Sequence, residues 1–214
     1  MNYFVTGTDT GVGKTFVTSG LIRFSRSKGI DAVGMKPICT GDNNDVRQLL
    51  EACGSCEPEY LINPVWYRTP VAPYTASMIE NRLIDLEAIQ KAFEQLAKQH
   101  SSVLVEGAGG IAVPIFAQYD FRDLARDLRL NVIVVAANRL GVLNHTRLTV
   151  EAVRTAGLKC TLIALNSLPT DSDISQPTNL SVLETLVDVP VLAVEQNQCE
   201  FESLASHLWG NVTA

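Results

Sequence analysis

The sequence predicts an α/β fold, a single doubly wound, mostly parallel sheet with helices on both faces. Three observations carry this expectation. Short apolar runs recur along the chain without polar alternation, the pattern of strands buried on both faces. Segments with helical apolar spacing separate them. Glycines stand just past two of those segments, where helices end. Strands alternating with helices imply right-handed crossovers in an open sheet.

The elements follow in order. Tyr3-Phe4-Val5 is the first strand. Val17, Leu21 and Phe24 recur at i, i+4 and i+7, and Gly29 closes that helix. Ala32-Val33-Gly34-Met35 is the second strand, which Pro37 stops. Asn63–Ala76 contains prolines and aromatics and matches neither period, so it is expected to be an ordered insertion loop. Leu86, Ile89, Phe93 and Leu96 form a helical stripe, with Asp85 as N-cap and His100 near the C-terminus. Val103-Leu104-Val105 and Val132–Ala136 are further strands. A helix runs from about Asn144 to Gly157. Leu162–Leu165 and Val191–Ala193 are the last strands. With no internal repeat, charge block or low-complexity tract, residues 1–214 are expected to form one domain.

Hydrophobic residues make up 46% of the chain and charged ones 19%, a core-rich composition that excludes general disorder. The 17 Lys+Arg against 23 Asp+Glu give a net charge of −6. That balance argues against nucleic acid or an anionic membrane as partner. Taken alone it also speaks against a strongly anionic ligand. The apolar runs fall far short of the roughly 20 residues that span a bilayer. Met1–Thr6 lacks the character of a signal peptide. Cysteines at 39, 53, 56, 160 and 199 are odd in number and irregularly spaced, against a disulfide framework. A soluble, reduced, cytoplasmic protein is expected. Cys53 and Cys56 form a lone C-x-x-C. With no second pair and no His nearby in sequence, they read as two unpaired thiols rather than a metal or redox site.

Ligands of open α/β sheets sit beyond the carboxyl ends of the strands. Directly after the first strand stands Gly7-Thr8-Asp9-Thr10-Gly11-Val12-Gly13-Lys14-Thr15, which opens the first helix. This is the context of a phosphate-binding P-loop. Backbone N–H groups form an anion nest, Lys14 reaches the β/γ-phosphates, and Thr15 offers a hydroxyl to Mg²⁺. Five residues rather than the usual four separate Gly7 from Gly13. Lys36-Pro37 ends the second strand and is followed by Ile38-Cys39-Thr40-Gly41. A surface lysine can be merely solvated, but this position directs Lys36 toward the crevice. The third strand ends Val105-Glu106-Gly107-Ala108-Gly109-Gly110. Glu106 stands where a Walker B carboxylate holds Mg²⁺, and a buried Glu is rare unless paired or metal-bound. Asp45 is a second carboxylate candidate, or only a helix-start residue, with Asp42 as its rival. Asn138–His145 follows the fourth strand. Asn166 ends the fifth and either reads a base edge or fixes a turn. His100, His145 and His207 show no metal spacing, and no nucleophilic triad is legible.

These motifs together resemble the dethiobiotin synthetase family, over nearly the whole chain. The resemblance rests on the loop Gly7–Thr15, on Lys36-Pro37 with Thr40-Gly41, on Val105–Gly110, and on Leu140-Gly141-Val142-Leu143-Asn144-His145. It implies a ligase that carboxylates 7,8-diaminopelargonic acid with CO₂. The resulting carbamate attacks the γ-phosphate of ATP, and the second amine closes the ureido ring and expels phosphate. Thr10, Gly11, Val12, Gly13, Lys14 and Thr15 would bind ATP, with Asn166 reading adenine. Lys14 and Lys36 would stabilise developing charge, helped by Thr10. Thr15, Asp45 and Glu106 would hold Mg²⁺. Thr40 and Gly109 would contact the diamine. The family pattern has a Gly-Glu pair near the ribose. Here the stretch is Ala193-Val194-Glu195, so Glu195 would serve only with a one-residue shift. The resemblance also implies a homodimer, in which the backbone of Gly141, Val142, Leu143 and Asn144 binds the substrate carboxylate across the interface, with Pro70–Ala76 contributing. Two other readings share the fold, a partitioning-type (ParA/MinD-like) nucleotide switch and a related amidoligase or small-molecule kinase. Asp9 stands where switch proteins carry a signature lysine, which disfavours the first.

Overall fold

The computed structural model describes residues 1–168 and 174–210. In chain order the elements are β1 (Tyr3–Gly7), α1 (Lys14–Ser27), β2 (Ala32–Met35), β3 (Ile38–Thr40), α2 (Asn44–Ala52), α3 (Glu59–Ile62), β4 (Val65–Tyr67) and α4 (Pro73–Ile79). They continue with α5 (Leu86–Gln99), β5 (Ser102–Gly110), β6 (Pro114–Phe116), β7 (Tyr119–Asp120), α6 (Phe121–Asp127), β8 (Asn131–Ala137), α7 (Val142–Thr155), β9 (Cys160–Asn166), α8 (Gln176–Leu186), β10 (Val191–Val194) and α9 (Glu202–Trp209).

Six of these strands form the central sheet in the order β10-β9-β8-β1-β5-β2. Every pairing in it is parallel. Strand β1 lies at the middle, with Phe4 opposite Val105 on one side and Val132 on the other. All five residues of β1 are buried, and successive residues point to opposite faces, so both faces are covered. The six strands are the six apolar runs of the sequence. The chain order reverses at β1, which is flanked by β5 and β8. This is the switch point where such sheets bind ligands.

Helix signals in the sequence hold in the structure. Asp85 caps α5 by accepting from the Ala88 N–H at 2.9 Å. Gly29 and Gly157 lie past α1 and α7 with φ of 81° and 74°. His100 is the C-cap of α5. The segment expected to be an irregular insertion loop is more ordered than that. It carries β4, paired in parallel with β3 from Ile38↔Val65 to Thr40↔Tyr67, and the start of α4. Three residues with only Trp66 outward are too few for a legible period, and Pro73 takes the first turn of α4, where its missing N–H costs nothing. The β3–β4 pair fixes Thr40 and Gly41 beneath Pro70 (the Gly41 N–H bonds the Tyr67 carbonyl at 2.9 Å), so the insertion builds one wall of the crevice.

Candidate active site

The loop after β1 enters α1 through Gly13, whose φ is 87°. A side chain there would be doubly excluded, because its Cβ would lie 2.1 Å from Asn166 Nδ2. Asn166, at the end of β9, is buried and donates to the Val12 carbonyl at 3.0 Å. It therefore braces the loop from the side of β9. Lys14, the first residue of α1, is 7% exposed. Its Nζ reaches back to the Asp9 carbonyl at 3.4 Å.

Beyond the carboxyl ends of β1, β2 and β5 the charged residues converge. Lys36 follows the last residue of β2 and is 3% exposed. Its Nζ donates to Glu106 Oε1 at 2.7 Å and to Asp45 Oδ2 at 2.7 Å. Thr15 Oγ1 donates to the same Glu106 Oε1 at 2.8 Å. The Lys36 backbone is held by the Ile62 carbonyl on one side and by Asn63 Nδ2 on the other, both at 2.7 Å. Asp45, in the first turn of α2, supplies the second carboxylate. Asp42 is turned to another task, since it is exposed and accepts from the Asn44 N–H at 3.0 Å.

Electrostatics follows from this packing. Burial works to lower the pKa of Lys36, but Glu106 and Asp45 outweigh it and hold the ammonium protonated above its ordinary range. Burial would raise the Asp45 carboxyl, yet Lys36 pulls it below the usual range. Lys14 has fewer compensating partners. Burial, reinforced by the nearby Lys36 charge, lowers it to about 8. Burial pushes the Cys39 thiol up to about 11, so this residue is no nucleophile although it lines the site.

A cleft of about 580 Å³ joins these parts. Thr10, Gly11, Gly13, Lys14, Thr15, Lys36, Thr40, Asp45 and Gly109 all line it. The cleft is closed by Pro70–Pro73 on one side and Val113 on the other. Gly141–Asn144 lie elsewhere, at the start of α7 beyond β8, and are not among its lining residues. Glu195 also stands apart, exposed just past β10. Sequence reasoning missed Asn63 and Cys39. Asn63 sits 27 residues from the lysine it positions and carries no local signal.

The oxygen donors fit a hard cation. Glu106 is fully buried, and its Oε2 has no hydrogen-bond partner among the described residues. A desolvated carboxylate oxygen left unpaired is costly, and beside Thr15 and Asp45 it is poised for a metal of the Mg²⁺ type.

A Gly-Lys-Thr loop opening the first helix, with a buried acidic residue on the adjacent strand of a parallel sheet, defines a P-loop nucleotide-binding protein. Comparison with known proteins narrows this. A profile of the AAA domain family matches residues 1–198. An ATP-dependent dethiobiotin synthetase BioD from Akkermansia muciniphila is 40% identical over 191 residues, covering 89% of this chain and 90% of the relative. Another, from Anaeromyxobacter dehalogenans strain 2CP-C, is 44% identical over 195 residues, covering 89% and 87%. The chain belongs to the dethiobiotin synthetase family. The septum site-determining protein MinD from Pyrococcus horikoshii, solved with Mg-ADP, shares the fold at a TM-score of 0.54. It is only 16% identical, over 92% of this chain and 82% of that one.

Proposed function

We propose that this protein is an ATP-dependent dethiobiotin synthetase, which uses 7,8-diaminopelargonate, CO₂ and ATP and yields dethiobiotin, ADP and phosphate. One observation carries the reading at the level of the site. Two buried lysines, one from the P-loop and one from the end of β2, face the same cleft, next to the threonines and Gly109 that would meet a small acceptor. A simple nucleotide site needs only the first lysine. The names of the relatives support the same conclusion.

In this reading the N–H groups of Thr10–Thr15 and the N-terminus of α1 bind the ATP phosphates. Asn166 and Glu195 serve the base and ribose. Lys14 and Lys36 stabilise charge as the carbamate oxygen bonds to the γ-phosphorus and ADP leaves. The free amine then attacks the activated carbonyl, and phosphate leaves with the ring closed. Thr10 and Thr40 orient the carbamate end, and Gly109 lets the diamine approach the backbone. Mg²⁺, held by Thr15, Asp45 and Glu106, would supply charge neutralisation at the β/γ-phosphates. The enzyme acts as a homodimer, with Gly141, Val142, Leu143 and Asn144 of one subunit completing the other's site through backbone N–H groups. The separation of that segment from its own cleft supports this arrangement. Residues 1–214 act as one domain. Five free thiols support a reducing, cytoplasmic setting. Among the described residues no helix is long and apolar enough to cross a membrane.

The test is incubation with ATP, Mg²⁺, bicarbonate and 7,8-diaminopelargonate. ADP and dethiobiotin should form together in equal amounts. ATP turnover indifferent to the diamine would refute the reading and point to a switch. Turnover requiring a different acceptor would point to a related ligase or kinase.

A further inference from the structure

The C-x-x-C pair, read from sequence as two unpaired thiols, is not isolated in space. Cys53 caps the C-terminus of α2, and Gly54 and Ser55, both at positive φ, turn the chain so that Cys56 comes back beside it. Cys53 is buried and donates to the Leu50 carbonyl at 3.2 Å, whereas Cys56 is exposed. The C-cap of α5 brings in His100 from 44 residues away. Cys56 Sγ, a Glu57 carboxylate oxygen and a His100 ring nitrogen all lie within 4.8 Å of one another. In a tetrahedral zinc site, ligand atoms are about 3.3–3.8 Å apart, so side-chain adjustment alone can close the set.

The surroundings match the chemistry of such a site. His100 Nδ1 is paired with Asp31 Oδ2 at 2.9 Å, which leaves Nε2 aimed at Glu57 Oε1, also 2.9 Å away. A metal-ligating His is oriented in this way, its other ring N–H given to a carboxylate. Asp31 is itself fixed by Arg26 at 2.6 Å. A coordinated thiol is deprotonated outright by the ion.

We propose that Cys56, Glu57 and His100, with water in the fourth position, form a binding site for a zinc-class divalent cation. Asp31 positions His100 and is not a ligand. Binding forms one metal–sulfur, one metal–oxygen and one metal–nitrogen bond, and the Cys56 S–H proton and the proton between His100 Nε2 and Glu57 pass to buffer. The site lies beside Asp31 and His100, which precede β2 and β5, at the amino ends of the strands and opposite the catalytic crevice. It clips the α2–α3 connection to the end of α5, so its effect is on stability rather than on chemistry.

The experiment is zinc titration of the chelator-dialysed full-length protein under reductant, in competition with a chromophoric chelator and with calorimetry in two buffers. Stoichiometric uptake, about two protons released per ion and a raised Tm are expected. Cys56→Ser and His100→Gln should abolish all three. Asp31→Asn should weaken affinity roughly 10–100-fold with uptake retained. Cys199 is not a member of the cluster, and Cys199→Ser should change nothing. Cobalt in place of zinc should show thiolate charge-transfer absorption in the wild type and none in Cys56→Ser. Absence of stoichiometric uptake, or uptake unaltered in both Cys56→Ser and His100→Gln, would overturn the proposal. Dethiobiotin formation is not part of the readout, so this result and the catalytic reading stand or fall separately.

Discussion

Lys36 is an ammonium taken almost wholly out of water, and its environment makes sense only because two carboxylates and a carbonyl surround it. Removing a buried ion costs heavily when its partners stay behind. Lys36→Ala should therefore lower the resistance to urea as well as ring closure. The two effects separate by rate. Diamine-dependent turnover should fall on the order of 100-fold or more, as for loss of a group that stabilises developing charge. ATP affinity, measured by calorimetry, should stay within a few-fold. Unimpaired turnover would remove Lys36 from the chemistry. Lys14 gives a pH prediction. Its folded value of about 8 lies below the ordinary lysine range, so folding is penalised in full below about pH 8 and relieved as pH rises above it. Polyphosphate beside the ammonium favours the charged form again. ATP binding should then take up protons above about pH 8 and weaken as pH rises through that value. Calorimetry in buffers of different ionisation enthalpy reads the uptake, and proton-neutral binding there would contradict it.

At the scale of elements, α1 does more than present the loop. It packs against the start of α9 through Gly20, where an added Cβ would lie 2.2 Å from the Phe201 ring. Phe201 is fully buried and has little room to retreat. Gly20→Ala would gain up to about 1 kcal/mol in helix propensity. Overpacking of this kind costs about 1–3 kcal/mol, so the packing term should win and the variant should unfold at lower urea. A more stable variant would show that the α1–α9 contact is soft. Helices and strands were mostly legible in the sequence, because each long element is amphipathic or apolar with its own period. The short β3–β4 pair was not, since three residues define no period.

Over the whole molecule, the net charge of −6 conceals a local reversal. It spoke wrongly against an anionic ligand. Two lysines and a helix N-terminus face one crevice, and charges farther away than roughly 8 Å are largely screened. Completion of that crevice by a second subunit is the prediction belonging to this scale. Leu140, just before α7, and Leu148, midway along it, are 81% and 57% exposed. Leu140→Glu with Leu148→Glu should give a monomer by sedimentation. Diamine turnover should fall on the order of 100-fold through lost positioning, with ATP affinity unchanged. A variant that stays dimeric, or a fully active monomer, would refute the shared site.

The chain by itself determined the parallel sheet, the P-loop and the identity of Lys36 and Asn166 as strand-end residues, while Glu106, read as closing its strand, stands midway along β5. Each depends on local period or on a contiguous motif, and topology rules place strand ends at the ligand edge. Only the tertiary structure decided between Asp45 and Asp42 as the carboxylate facing Lys36, because both sit near one helix start and differ only in where the helix aims them. It alone brought Asn63 to Lys36 and His100 to Cys56. Those pairings join residues 27 and 44 positions apart, and contacts at such separations are set by how elements pack, which no local pattern encodes.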